Sequence, residues 1–124
     1  MPERARTILV IDDHPTNLKL MRVLLESEGY ATITTESAEA ALDLLREKRP
    51  DLILTDVQLH GMDGLALTRL LKADAASAAI PVIAVSAFAH AEDRARALAA
   101  GCSAYFSKPL DTRAFYAALA GLMT

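Results

Sequence analysis

The chain has 124 residues, 52% hydrophobic and 23% charged, with a net charge of −3; this suits one packed domain over residues 1–124 and leaves little room for a second. Its 13 basic and 16 acidic residues are scattered, so no Lys/Arg block exists to neutralise a row of phosphates, and nucleic acid is not expected as a direct partner. The apolar run near the N-terminus is too short for a signal-peptide core or a membrane span, and the lone Cys102 reads as a small buried thiol, so a cytoplasmic protein with no membrane partner is expected.

The first element is "ILVI" at 8–11, which runs into the adjacent Asp12 and Asp13. Pro15 suits a first helical position, and Leu18, Met21 and Leu25 recur at helical spacing before Gly29. "YATIT" at 30–34 reads as a strand, and Ser37 can cap a helix carrying Ala38, Ala41, Leu42 and Leu45. "LILT" at 52–55 leads into Asp56, and Leu67, Leu70 and Leu71 mark the following helix. "PVIAV" at 81–85 leads into Ser86. The fourth helix, around "AHAEDRARALAA", offers mostly alanine methyls with Leu98 as its only large anchor, and Gly101 can end it. "AYFS" at 104–107 precedes Lys108, Asp111 can cap the last helix, and Phe115, Leu119 and Leu122 supply its apolar stripe.

Strands alternating with helices make a (βα)5 chain of the α/β class, and its strands pair in parallel because each helix returns the chain to the starting edge. The first, third and fourth runs are nearly all apolar, as strands covered on both faces are, whereas the threonines of the second mark an edge. The expected topology is a doubly wound, flavodoxin-like sheet of order 2-1-3-4-5. Its carboxyl ends share one rim, where Asp12, Asp13, Asp56, Ser86 and Lys108 converge.

Carboxylates crowded into one crevice repel by roughly 4 kcal/mol per close pair at intermediate dielectric. A hard divalent cation relieves this, and Mg²⁺ suits a few carboxylates with water completing its shell. Three aspartates, Mg²⁺ and Lys108 sum to zero charge, a balance suited to accepting a phosphoryl group, whose transfer asks chiefly for positioning and neutralisation. Asp56, alone at its strand end, is the candidate nucleophile, with Ser86 able to hydrogen-bond a phosphoryl oxygen.

These residues occur within "DD" at 12–13, "DLILTDVQLHGMDG" at 51–64, "VSA" at 85–87 and "YFSKP" at 105–109. In that order the chain resembles the receiver domain of bacterial two-component response regulators over essentially its whole length. Within the family, "NLKLM" and "GCSAYFSKP" look most like single-domain receivers of the cell-fate (DivK) type. The resemblance implies that a sensor histidine kinase or histidine phosphotransferase donates a phosphoryl group to Asp56. It implies Mg²⁺, with Mn²⁺ able to substitute, held by Asp12, Asp13, Asp56 and the backbone carbonyl of Gln58. It also implies that Lys108 contacts the acyl phosphate, that Pro109 follows a cis peptide, and that Ser86 and Tyr105 act as switch residues. Tyr105 would turn inward and remodel the face of the fourth helix, fifth strand and fifth helix, which then controls a downstream protein. The fourth helix, burying little apolar area, would shift most.

The chain departs from the family pattern at His60, a slot often held by proline, which is expected to loosen that loop, and Gln58 and Phe88 fall at positions that tune dephosphorylation. His14, His60 and His90 lack metal-ligand spacing and read as solvated residues. The acidic pair taken alone could merely cap a helix. A receiver cut from a hybrid histidine kinase is the alternative. A haloacid-dehalogenase-like phosphatase is less favoured, because Gln58 stands where that chemistry needs a second aspartate. An FMN module is disfavoured because the acidic pair would repel the phosphate, and a docking-only receiver because the residue set is complete. The expectation is therefore a phosphoacceptor, not an enzyme.

Overall fold

In a computed structural model describing residues 5–123, the apolar runs form strands and the amphipathic stretches helices. Residues 1–4, part of the N-terminal stretch read above, and residue 124 lie outside the described residues. In chain order the elements are β1 (Thr7–Ile11), α1 (Pro15–Ser27), β2 (Ala31–Thr35), α2 (Ala38–Leu45), β3 (Leu52–Asp56), α3 (Gly64–Ala73), β4 (Val82–Ser86), α4 (Ala91–Ala100), β5 (Ala104–Ser107) and α5 (Thr112–Leu122). The sheet is parallel with order β2-β1-β3-β4-β5, as the alternation predicts.

Side chains alternate across the sheet and divide the core in two. Ile8, Val10, Leu52, Leu54, Ile83 and Val85 pack against Leu18 and Leu25 of α1 and Phe115 and Leu119 of α5. Leu9, Ile11, Ile53, Val82 and Ala84 face α2, α3 and α4. β3 and β4 are buried along their whole length, while β2 leaves Ala31 and Thr34 exposed at the edge.

Local chemistry sets the boundaries. Pro15 opens α1, and the Ser37, Asp63 and Asp111 side chains accept from Ala40, Ala66 and Ala114 N–H groups at 3.0, 2.8 and 3.3 Å. The second strand starts one residue later than the sequence reading because the Tyr30 N–H returns to the Leu25 carbonyl at 3.1 Å while Gly29 bonds Glu26. That Schellman turn, which follows the end of α1, holds Tyr30 out of the strand. Pro81 has no N–H to give the ladder, so β4 starts at Val82, although the Pro81 carbonyl accepts from Ile53 at 2.9 Å.

Two expected anchors point elsewhere. Leu98 is 45% exposed, and α4 buries Ala97 and Ala100 instead. Leu70 is 48% exposed, because the buried stripe of α3 is Gly64, Leu67, Thr68 and Leu71, with the Thr68 hydroxyl satisfied by the Gly64 carbonyl at 2.8 Å. Helical spacing alone cannot choose between leucines a quarter-turn apart; the phase is set where the helix meets the sheet. Cys102 is buried as expected. Burial pushes its thiol up, against smaller downward pulls from the Thr68 hydroxyl and nearby Lys72 and Arg69. Among the described residues no helix is long and apolar enough to cross a membrane.

The α4–β5 turn is tightly specified. Gly101 adopts a φ of 112°, and its N–H and that of Cys102 return to Leu98 and Ala97 carbonyls, each at 3.1 Å. The Lys72 stem lies against it, with its ammonium donating to the Ala78 and Ile80 carbonyls at 3.0 and 2.6 Å. A Cβ at Gly101 would fall 2.6 Å from Lys72 Cγ. Gly101→Ala is therefore expected to lower the urea-unfolding free energy by about 1–3 kcal/mol; an unchanged midpoint and slope would contradict this.

Candidate functional site

Parallel registry brings distant residues to one rim. Asp12 and Asp13 follow β1, Asp56 ends β3, and Ser86 ends β4 opposite Ser107, with Lys108 next in the chain. Asp56 is only 6% exposed; its Oδ2 accepts from Lys108 Nζ at 2.9 Å and its Oδ1 from the Gln58 N–H at 3.0 Å. Lys108 Nζ also lies 3.7 Å from Asp12 Oδ2, so one ammonium bridges the buried acids of β1 and β3. The Lys108 N–H bonds the Ser86 carbonyl at 2.8 Å, which ties the lysine backbone to β4, and the Lys108–Pro109 peptide is cis.

The acidic pair has two roles. Asp12 Oδ1 accepts from the N–H of His14, the N-cap residue of α1, at 2.9 Å, which leaves the helix without a side-chain cap, so the capping reading does not hold; its other oxygen faces Lys108. Asp13 Oδ2 accepts from the His60 N–H at 3.1 Å and lies 2.6 Å from His60 Nδ1. Burial by itself would push the Asp13 carboxyl up, but the His60 backbone and ring bonds and the charges of His60 and His14 outweigh it and hold the carboxyl below its ordinary value. The resulting stabilisation is present above the ordinary carboxylate range and lost as pH falls through the lowered folded value.

The loop after Asp56 is therefore not loosened at His60. Proline has no N–H to donate; histidine has one, and gives it to Asp13. Glu39 of α2 adds a second tether by accepting from the Met62 N–H at 3.2 Å. His14 and His60 are largely solvated, as expected, but both rings lie beside Asp13. The sequence carries no signal for the His60 and Glu39 contacts, which join residues far apart along the chain. Gly64 also escapes a sequence reading: a Cβ there would collide with the Asp56 carbonyl oxygen.

The switch candidates form a second group. The buried Ser86 hydroxyl donates to Gln58 Oε1 at 3.1 Å, and its oxygen accepts from the Phe88 N–H at 3.1 Å. Tyr105 is 6% exposed and already lies inward, its hydroxyl donating to the Phe88 carbonyl. The hydrogen bonds thus join Ser86 and Tyr105 to each other through Phe88, and not directly to Asp56.

The donor set fits a hard cation. Asp13 Oδ1 is buried without a hydrogen-bond partner; His14 Nδ1 lies 2.9 Å away but is not aligned to bond it. Asp12, Asp13 and His14 offer ligand atoms within 4.8 Å of one another, with the Asp56 carboxylate joined to Asp12 through Lys108. An unsatisfied carboxylate oxygen among anionic neighbours is what Mg²⁺ with oxygen ligands relieves.

A model of the response regulator receiver domain family matches residues 8–120. The polar-differentiation response regulator DivK of Brucella anthropi is 47% identical over 110 residues, covering 89% of each chain. Among solved structures, the signal receiver domain of a signal transduction histidine kinase from Syntrophus aciditrophicus superposes with a TM-score of 0.89 at 33% identity, covering 96% of this chain and 90% of that one. The receiver domain of a sensor histidine kinase from Pseudomonas aeruginosa, with a magnesium ion coordinated in its active site cleft, gives 0.87 at 29% identity, covering 97% and 98%.

Adding Mg²⁺ is expected to shift the amide resonances of Asp12, Asp13 and Asp56 and the ring resonances of His14. Asp13→Asn should weaken that response at least about tenfold, since a full charge is removed from the cation's neighbourhood. Mg²⁺-independent spectra of the folded protein would exclude the cation.

Proposed function

This chain belongs to the response regulator receiver domain family, and from that premise we propose that it is the phosphoacceptor of a two-component phosphorelay, taking its phosphoryl group on Asp56. The observation that carries the reading is the buried Asp56 carboxylate held by Lys108 at 2.9 Å with Asp12 across the same ammonium. The donor is a phosphohistidine on a sensor histidine kinase or histidine phosphotransferase. An Asp56 oxygen attacks phosphorus as the P–N bond breaks, and the imidazole nitrogen leaves with the electron pair.

Asp12, Asp13, Asp56 and the Gln58 backbone carbonyl would hold Mg²⁺, or Mn²⁺ in its place, and the cation would supply positive charge to offset that of the phosphoryl oxygens. Lys108 supplies the second positive charge and, when Oδ2 gives up its bond, contacts the acyl phosphate. Ser86 donates its hydroxyl to a phosphoryl oxygen. A cavity of about 350 Å³ lined by Leu20, Met21 and Leu24 of α1 opens beside Asp56 and Lys108 and leaves room for the donor's approach.

The output is a change in the α4–β5–α5 face that controls a downstream protein, with no direct nucleic-acid or membrane contact and a cytoplasmic setting. α4 is held by Ala97 and Ala100, and His90 gives its N-terminus no side-chain cap; such a helix moves at low cost. Residues 1–124 act as one receiver domain that accepts a phosphoryl group without the turnover of an enzyme. The same acceptor chemistry serves a receiver carried by a hybrid histidine kinase, which the two kinase-derived structural relatives favour as the second reading. A phosphatase is disfavoured, since an amide, Gln58, stands two residues after Asp56.

Incubation with a small phosphodonor and Mg²⁺ should add the mass of one phosphoryl group, absent in Asp56→Asn and after chelation. No gain, or steady release of phosphate from many esters, would refute the reading. Amide exchange on adding an acyl-phosphate mimic should change most in α4; equal changes in all five helices would refute its role in the output.

A further inference from the structure

The resting state is fixed at an unexpected point. Tyr105 is already inward and its hydroxyl already bonds the Phe88 carbonyl, so inward rotation of the ring is not the change left to make. Ser86 is different. A serine hydroxyl has a single proton to donate, and here it is committed to Gln58 Oε1 at 3.1 Å. The same oxygen accepts from the Phe88 N–H at 3.1 Å, so Phe88 is gripped at its N–H through Ser86 and at its carbonyl through Tyr105.

We propose that the Gln58 side chain is the catch of this switch: it holds the Ser86 hydroxyl, and a phosphoryl group on Asp56 must compete with Gln58 for that one proton. The proposal rests on the reading of Asp56 as phosphoacceptor. Gln58 acts through Ser86 and is a positioning residue. Its backbone is fixed independently, because its N–H bonds Asp56 Oδ1 at 3.0 Å; the side chain can therefore let go while the backbone stays in place. Space for that movement exists, since Gln58, Ser86, Phe88 and Tyr105 line a cavity of about 330 Å³. Gln58 is itself exposed, so water can take over its amide and the catch opens at modest cost. A chain with an apolar residue at position 58 would have Ser86 free before phosphorylation.

The test uses the unphosphorylated, Mg²⁺-free chain. Gln58→Met keeps the length of the side chain and removes the acceptor; Gln58→Glu keeps an acceptor. In Gln58→Met, Phe88 amide exchange should rise about threefold to tenfold, the range for one lost hydrogen bond, and the Ser86 side-chain couplings should show a changed rotamer distribution. Gln58→Glu should stay near wild type. In a Ser86→Ala background, Gln58→Met should add nothing further. Wild-type Phe88 protection in folded Gln58→Met, or an undiminished effect without the Ser86 hydroxyl, would overturn the catch. Neither result bears on whether Asp56 takes up a phosphoryl group, which the mass measurement decides separately.

Discussion

The structure depends on holding like charges together. Asp12 and Asp56 sit buried at adjacent strand ends, and Asp13 lies beside them. Close carboxylates at intermediate dielectric oppose one another by roughly 4 kcal/mol per pair, an appreciable part of a small domain's net stability of about 5–15 kcal/mol. The chain meets this with several partial solutions. Lys108 spans Asp12 and Asp56, Gln58 and His14 lend backbone N–H groups, and the His60 backbone and ring engage Asp13. One buried oxygen, Asp13 Oδ1, is left unsatisfied. This balance of partial contacts is what an added cation or a phosphoryl group on Asp56 would alter under the proposed function.

That balance requires close backbone approach. Gly64 lets the start of α3 lie against the Asp56 carbonyl, where any side chain would collide. Glu39 holds the intervening loop from α2 through the Met62 N–H. The loop bearing Gln58 and His60 is thereby fixed at both ends, with His60 turned to Asp13 and Gln58 to Asp56 and Ser86. Fixed loops place polar groups accurately without a deep pocket to enclose them.

Rigidity at the rim contrasts with the weak hold on α4. Its buried residues are alanines, its leucine faces solvent, and its amino end has no side-chain cap. α1 and α5 instead bury Leu18, Leu25, Phe115 and Leu119, and Phe115 packs edge-on against Phe106 with ring centroids 5.6 Å apart. α4, the helix that follows the Phe88 segment, is thus held by small alanine side chains, so a rearrangement of one hydroxyl there meets little resistance from its packing.

Much of this was legible in the order of residues. Apolar runs alternating with amphipathic stretches dictated a parallel sheet, the threonines of β2 marked the edge, and the strand-end positions of Asp12, Asp13, Asp56, Ser86 and Lys108 followed from topology, because parallel strands place all their carboxyl ends on one rim. Helix caps at Ser37 and Asp111 and the turn at Gly101 were equally local and equally legible. Only the tertiary structure decided which leucines of α3 face inward and that Leu98 of α4 faces solvent, that His60 and Glu39 brace the loop, that Gly64 touches Asp56, and that the Gln58 side chain holds Ser86. Each of these depends on rotational phase or on contacts between residues distant along the chain, and a one-dimensional pattern fixes periodicity but not the angle at which a helix or loop meets its neighbours.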